Sequence, residues 1–398
     1  MGEDEDRQPG TPGIRLFISA AERSGDTHAA NLVREALRRC PDLEFEGFGG
    51  ELLQDAGCRL HDDLVALASM GLGFLPHLRR YVRVIKTFHQ LIRERPPSAV
   101  ILVDSPGLNF VLARLAKWHG IPVIYYICPQ IWAWAPWRRA KVLKYTDLLL
   151  VILPFEEELY RNPQVPVRFV GHPLADSLAF VSPEVGRELR ARLRIAPEHR
   201  VIAILPGSRE QEVRKLIPLF RNIVDRMELD SRTHRLLVSC FREDYKDPIE
   251  RMLWGCRIPH EVLSEDARTL VAASDLVLVA SGTASLEVAY FEKPMLVLYK
   301  VSPLARFLYR LLSVTPFFSL PNILGAHLFD GKPVVHERLC HGDEAAELAP
   351  LAKSLLEPGP VRREALDRLR KFKEATFASG ATSRAAQALL EFVAGKRL

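Results

Sequence analysis

Residues 99–110 read Ala99-Val100-Ile101-Leu102-Val103-Asp104-Ser105-Pro106-Gly107-Leu108-Asn109-Phe110. Five apolar residues in unbroken succession describe a strand covered on both faces, and Asp-Ser-Pro-Gly then breaks it with turn chemistry. An amphipathic stretch follows. The same order recurs at 14–20, 43–48, 123–127, 148–153 and 167–170, and again at 201–205, 235–239, 276–280 and 295–299. Continuous apolar strands alternating with helices form a parallel sheet with helices on both faces. A charged, helix-prone stretch at 176–199, with Pro183 and Pro197, separates the two groups of strands. The fold expected is therefore α/β, with two doubly wound domains facing across a cleft. Expected boundaries are a loose tail 1–13, a first domain 14–180, a connector 181–199, a second domain 200–345, and helices 346–398 packing back on the lobes.

Bulk properties agree. A chain of 398 residues is too long for one ordinary core and fits two domains of ~150–200 residues. Hydrophobic residues make up 48% and charged residues 26%, which excludes a disordered or fibrous protein. The net charge of +5 suits phosphorylated ligands or an anionic membrane and is too small to argue for nucleic acid. The six cysteines form no CxxC pair and no zinc spacing, so they read as reduced thiols of a cytosolic protein. The acidic tail 1–13 lacks the basic and apolar regions of a signal peptide. Apolar runs reach about six residues, far below the ~20 that span a bilayer. A soluble or peripheral protein is expected.

Open parallel sheets bind ligands beyond the carboxyl ends of their strands. After the first strand comes Ala20-Ala21-Glu22-Arg23-Ser24-Gly25-Asp26. Its small-residue turn at a helix start offers N–H groups to an anion or a sugar oxygen; Glu22 as a solvated acid and Ser24 as a cap are the plainer alternatives. Asp104, at a strand end beside a turn, is placed to take a proton from an attacking hydroxyl, or simply to cap its turn. Cys128–Arg139 holds Trp132, Trp134 and Trp137 ahead of Arg138 and Arg139. Aromatic faces suit a sugar or acyl chain and arginines suit phosphate, with core packing as the alternative. His172 has no ligand partner at metal spacing and reads as structural.

The second half opens with a strand followed by Pro206-Gly207-Ser208-Arg209-Glu210-Gln211-Glu212. This is a helix-initiating loop with arginine where a diphosphate would lie, without the spacing of a Walker loop. Ser281-Gly282-Thr283-Ala284-Ser285-Leu286-Glu287 repeats the pattern. Small residues there let N–H groups approach phosphate, and Glu287 can accept two ribose hydroxyls. Asn322, in Ser319-Leu320-Pro321-Asn322, offers an amide for a uracil edge or a sugar.

One further segment, 70–95, begins with Met70, Leu72, Phe74 and Leu75 and continues with Arg79, Arg80, Arg83, Lys86, Arg93 and Arg95 against the single acid Glu94. Its apolar positions fall largely at helical spacing. It reads either as a core stripe with solvated arginines or as an interfacial surface for acyl chains and anionic lipid.

The strings AAERSGD, LVDSPGLNF, CPQIWAWAPWRR, LPFEEELY, VGHPLAD, LPGSREQEV, ASGTASLE, PMLVLYK and SLPNIL, in this order over about four-fifths of the chain, resemble those of the lipid-A-disaccharide synthases. The resemblance implies an inverting glycosyltransferase with two Rossmann-like lobes (GT-B type). Its reaction moves 2,3-diacylglucosamine from the UDP derivative to 2,3-diacylglucosamine 1-phosphate, yielding a β-1,6-linked disaccharide and UDP. It implies Asp104 and Glu22 as the catalytic residues, Asp104 as the general-base candidate and Glu22 at the acceptor or donor site. Gly207, Ser208, Arg209, Ser281, Gly282, Thr283, Glu287 and Asn322 fall on the UDP side, and Ser24, Trp132, Trp134, Arg138, Met70 and Phe74 on the acceptor and acyl side. No metal or cofactor is implied, since arginine and helix N-termini neutralise a departing diphosphate. The implied place is the cytoplasmic face of an inner membrane, peripherally bound, with a homo-oligomer left open. The chain departs from the family pattern at Ala21, at Gly107 where a second acid is usual, and at Cys340 where an amide is usual. A UDP-N-acetylglucosamine 2-epimerase shares the two-lobe plan but has no use for the tryptophan string; a non-catalytic sugar-nucleotide-binding paralogue would accommodate the departures.

Overall fold

The computed structural model describes residues 14–65, 74–129, 131, 136–178, 182, 184–302 and 315–395. The chain divides into two compact units, one comprising Met1–Asp176 with Ser379–Leu398 and the other Ser177–Ala378.

The first unit holds β1 (Arg15–Ala20), β2 (Glu44–Gly49), β3 (Arg59–Asp63), β4 (Ala99–Val103), β5 (Val123–Tyr126), β6 (Leu148–Val151) and β7 (Val167–Phe169). They form one sheet in the order β3-β2-β1-β4-β5-β6-β7, and every neighbouring pair is parallel. The second unit holds β8 (Arg200–Leu205), β9 (His234–Ser239), β10 (His260–Leu263), β11 (Leu276–Ala280), β12 (Met295–Lys300) and β13 (His336–Cys340). Their order is β10-β9-β8-β11-β12-β13, again all parallel. Both sheets share the doubly wound Rossmann order, which reverses direction between the first and fourth strands of each unit.

The predicted apolar runs all became strands. The three strands without such a run, β3, β10 and β13, have the polar sequences RLHDD, HEVL and HERLC. Each lies at a sheet edge, where burial is incomplete and an unbroken apolar run is not needed.

In the first unit Val84, Phe88 and Ile92 of helix Phe74–Glu94 pack with Leu112 and Ala116 of helix Pro106–Trp118 against Phe17, Val100, Leu102 and Tyr125. The stripe at 84–92 is thus core. Helix Arg23–Arg39 packs against helix Ala381–Gly395. Both bury alanines, Ala29, Ala30 and Ala36 on one and Ala381, Ala385, Ala386 and Ala388 on the other. Asp176 starts this last helix by accepting Gly380 N–H at 2.6 Å and Thr382 N–H at 2.7 Å. Gly380, with φ +83°, separates helices Pro360–Thr376 and Ala381–Gly395. In the second unit Leu216, Phe220 and Ile223 of helix Glu210–Arg226 fill the core with Leu348, Ala352 and Leu355 of helix Ala345–Leu356. Helix Glu184–Arg192 belongs to this unit, its Arg190 Nη2 2.7 Å from Asp275 Oδ2.

Candidate active site

The reversal in the first sheet lies between β1 and β4, and the residues after these strands are those singled out in the sequence. Glu22 is the exposed N-cap of helix Arg23–Arg39, and its side chain makes no capping bond. Half-buried Ser24 lies in that helix's first turn. Across the switch point stands Asp104, with φ +48°, followed by Ser105 with φ +45°. Two successive non-glycine residues in the left-handed region cost of order 1 kcal/mol or more each and persist only where the surroundings impose them.

They are imposed here by a buried network that sequence reasoning did not find. Asn109, with no exposed surface, donates through Nδ2 to the carbonyls of Val103 at 3.1 Å and Asp104 at 2.7 Å. Its Oδ1 accepts the Ser19 hydroxyl at 2.9 Å, and the Tyr125 hydroxyl donates to the Asp104 carbonyl at 2.7 Å. The one available signal was an amide five residues past a strand-end acid, and nothing in the sequence indicated its partners. Replacing Asn109 by Ala leaves Val103 O and Ser19 without their partner in a dry site. A loss of about 2–3 kcal/mol is expected in denaturant unfolding of the full chain, together with reduced turnover. Unchanged stability would remove Asn109 from this role.

Burial pushes the Asp104 carboxyl up to about 6; the nearby Glu22 charge adds to this and the Ser105 N–H opposes it. A carboxylate with that affinity is matched to accepting a proton near neutral pH. Gly107 is exposed with open space about its α-carbon.

Met70, Trp132 and Trp134 lie outside the described residues, and Phe74 opens helix Phe74–Glu94. Arg138 is exposed, whereas Arg139 is committed to the carbonyls of Leu159 and Arg161. His172 is buried, accepts the Leu174 N–H at Nδ1, and is lowered to about 3 by burial, so it is a neutral internal group.

The second sheet reverses between β8 and β11. After β8, Gly207 takes φ +99° and Arg209 becomes the N-cap of helix Glu210–Arg226, its own side chain making no capping bond. Ser208 lies between them on the same turn. Arg209 projects outward, 77% exposed, with Nη1 3.3 Å from Glu212 Oε1. After β11, Ser281 Oγ donates to Phe318 O at 3.2 Å, and Gly282 O accepts the Ser285 hydroxyl at 2.7 Å. Thr283 is the N-cap of helix Ala284–Tyr290. Glu287 is pushed up to about 7, chiefly by burial and slightly by Asp266, against the pull of Arg268. It is therefore partly protonated at neutral pH and able to donate as well as accept toward a diol.

Asn322 is a correction. Its side chain is fully buried, donating to Val335 O at 2.9 Å and accepting Val335 N–H at 2.8 Å. Both ends of the amide are thereby occupied, so it presents nothing to a uracil edge. Its work is to fold residues 319–325 onto 335, helped by Glu337, which accepts the N–H groups of Phe318 and Ser319. Cys340 is fully buried at the end of β13 and packs in the core of the second unit.

Two Rossmann-type lobes, with a strand-end acid in one and an arginine-bearing turn in the other, have the architecture of the GT-B nucleotide-sugar glycosyltransferases. The sequence model of the lipid-A-disaccharide synthetase family matches residues 16–392. The lipid-A-disaccharide synthase of Myxococcus xanthus is 35% identical over 381 residues, covering 95% of this chain and 97% of that protein. That of Azotobacter vinelandii is 36% identical over 389 residues, covering 95% and 98%. Among solved structures, Acinetobacter baumannii MurG aligns over 95% of this chain and 99% of its own with a TM-score of 0.58 at 14% identity. A putative UDP-N-acetylglucosamine 2-epimerase from Listeria monocytogenes aligns over 96% and 95%, with a TM-score of 0.63 at 13% identity, a likeness of fold alone. The chain belongs to the lipid-A-disaccharide synthase family. It is a hexosyltransferase of lipid A biosynthesis that transfers 2,3-diacylglucosamine from a UDP-sugar donor to build the lipid A disaccharide.

Proposed function

We propose that the acceptor is 2,3-diacylglucosamine 1-phosphate, held by the first unit, and that Asp104 removes the proton from its 6-hydroxyl. The observation that carries this reading is the placement of Asp104 and Glu22 on either side of the β1/β4 switch point, with Asp104 pushed up to about 6. The second unit takes UDP. Gly207, Ser208 and Arg209 meet the diphosphate, Ser281–Thr283 line the nucleotide, and Glu287 accepts the ribose hydroxyls. Ser24, Arg138 and the tryptophan string serve the acylated acceptor. Incubation with UDP-2,3-diacylglucosamine and the monosaccharide phosphate, read by mass spectrometry, tests the assignment. A phosphorylated tetraacyl disaccharide with equimolar UDP is expected, and UDP release without disaccharide would reject it.

Both substrates carry acyl chains that leave a bilayer only at high cost, so the enzyme works at the cytoplasmic surface of a membrane. Among the described residues no helix is long and apolar enough to cross one. Helix Phe74–Glu94 supports peripheral docking. Arg83, Lys86 and Arg93 are exposed on it beside Tyr81 and Val82, which are 39% and 44% exposed. Arg80 is not free for lipid, since its Nη2 lies 2.5 Å from Asp62 Oδ1 and 2.8 Å from Asp63 O. Each surface cation adds ~1 kcal/mol near an anionic bilayer. Sedimentation with phosphatidylglycerol vesicles at low salt should drop about 10-fold or more when Arg83, Lys86 and Arg93 are together changed to Ser. Equal sedimentation of variant and parent would move the docking surface elsewhere.

A further inference from the structure

We propose that Glu212 is the residue that drives UDP off the enzyme after transfer, by opposing the charge of the product more than that of the donor. The proposal rests on the assignment of residues 207–209 to the diphosphate.

A β-carbon built on Gly207, whose φ is +99°, would stand 2.4 Å from Glu212 Oε2, so the Glu212 side chain lies against this turn. That carboxylate is therefore laid directly on the turn whose N–H groups are offered to phosphate. It is only 17% exposed, and its Oε1 stands 3.3 Å from Arg209 Nη1. Glu212 is the third residue of helix Glu210–Arg226, the position from which an acid commonly folds back to cap the helix start. Here, among the described residues, no side chain caps the Arg209 N–H, and the acid is turned onto Gly207 and Arg209 instead. Among the described residues it is the one acid lining a groove of about 140 Å³ whose cations are Arg209, Lys215 and Lys300. An acid in a cationic groove weakens anion binding, so its placement calls for a role in which weaker binding is useful.

Bond making and breaking supplies that role. The acceptor 6-oxygen bonds to the anomeric carbon, and its proton passes to Asp104. The bond from that carbon to the β-phosphate oxygen breaks, leaving its electron pair on the phosphate. In the donor each phosphate carries one negative charge. In UDP the terminal phosphate has a further ionisation near pH 6, so at neutral pH the product carries about one additional negative charge. A carboxylate ~5 Å away, in a groove open enough for an effective dielectric of ~50–80, weakens that extra charge's binding by about 4–10-fold. Glu212 holds Arg209 while the site is empty, yields it to the donor, and reclaims it from the product.

Calorimetric titration of UDP and of uridine into the full chain and into Glu212→Gln tests this. The variant should bind UDP about 3–10-fold more tightly and uridine as before. UDP's inhibition constant should fall further than the KM for UDP-2,3-diacylglucosamine, and the gap between variant and parent should narrow below pH 6, where UDP loses the added charge. UDP affinity that is unchanged or weakened in Glu212→Gln overturns the proposal. So does a parallel shift of UDP and uridine in Glu212→Gln, or the same weakening of both in Glu212→Ala, because these mark a residue that only scaffolds the turn. A parent chain that binds UDP no better than uridine overturns the diphosphate assignment as well; a parent that prefers UDP, with the preference unmoved by Glu212→Gln, overturns the present inference alone.

Discussion

Changing Asp104 to Asn lowers turnover by about 10²–10⁴-fold while UDP binding is retained, the loss expected when a positioned general base is neutralised. The asparagine is nearly isosteric, and the backbone of residue 104 remains held by Asn109 and Tyr125. The geometry of the strand end survives, and only the proton acceptor is lost. The parent enzyme carries a matching pH signature. Catalysis needs the ionised carboxylate, so kcat/KM should rise with pH and level off above about 6, where Asp104 has shed its proton. That limb should vanish from the residual activity of the asparagine variant. Stability moves the other way. The folded chain holds the Asp104 proton more tightly than the ordinary value of 3.8, so native stability falls as pH rises from 3.8 through about 6. At pH 7 the charged, buried form weighs fully against folding, and Asp104→Asn should be more stable there by about 1–3 kcal/mol, with the gap closing below pH 4. Thermal melts at pH 4 and pH 7 provide the check. Near-normal turnover in the variant would pass the base role to Glu22, the only other acid singled out at that switch point.

Arg209→Ala should cost about 10²–10³-fold in kcat/KM for the donor, the scale for deleting one group aimed at developing charge. The acceptor's KM should change little. Arg209 is 77% exposed and, among the described residues, pairs with Glu212 alone, so its removal should shift folding stability by no more than about 0.5 kcal/mol. Activity and stability are thus separable at this residue. Arg209→Lys restores the charge without the two-pronged geometry, and a partial recovery is expected. Unaltered UDP affinity with normal turnover in Arg209→Ala would place the diphosphate away from this turn.

The sequence was most readable where burial is complete. Central strands such as β4 and β11 must be apolar along their whole length, so AVILV and LVLVA announce themselves. At the edges, β3, β10 and β13 carry His, Asp, Glu and Arg, and no local pattern distinguishes them from loops. The acids and turns of the candidate site were readable because chain topology places strand ends together, and strand ends are visible in sequence. What holds them was not. Asn109 reaches Ser19 across 90 positions, and such a pairing leaves no periodic trace. Asn322 shows the opposite failure. An amide beside a proline near the donor motifs looked like a ligand contact, yet its demand for partners is met by Val335. Polar side chains in short turn-rich stretches serve backbones as readily as ligands, and only the count of satisfied groups separates the two.

The first unit is completed by chain made long after the rest of it. The Asp176 carboxylate receives its amide donor from Gly380, 204 residues later. At translation speeds of ~5–20 residues per second, that is a wait of roughly 10–40 s. Throughout it the alanine face of helix Arg23–Arg39 has no covering helix, and Arg39 lacks the Ser383 hydroxyl that it later meets at 2.6 Å. The nascent N-terminal half therefore lacks its covering helix until the chain is nearly finished, while the second unit can close first. A fragment ending at Asp176 should accumulate in inclusion bodies. The same fragment with Ser379–Leu398 appended through a flexible linker should be recovered in the soluble fraction.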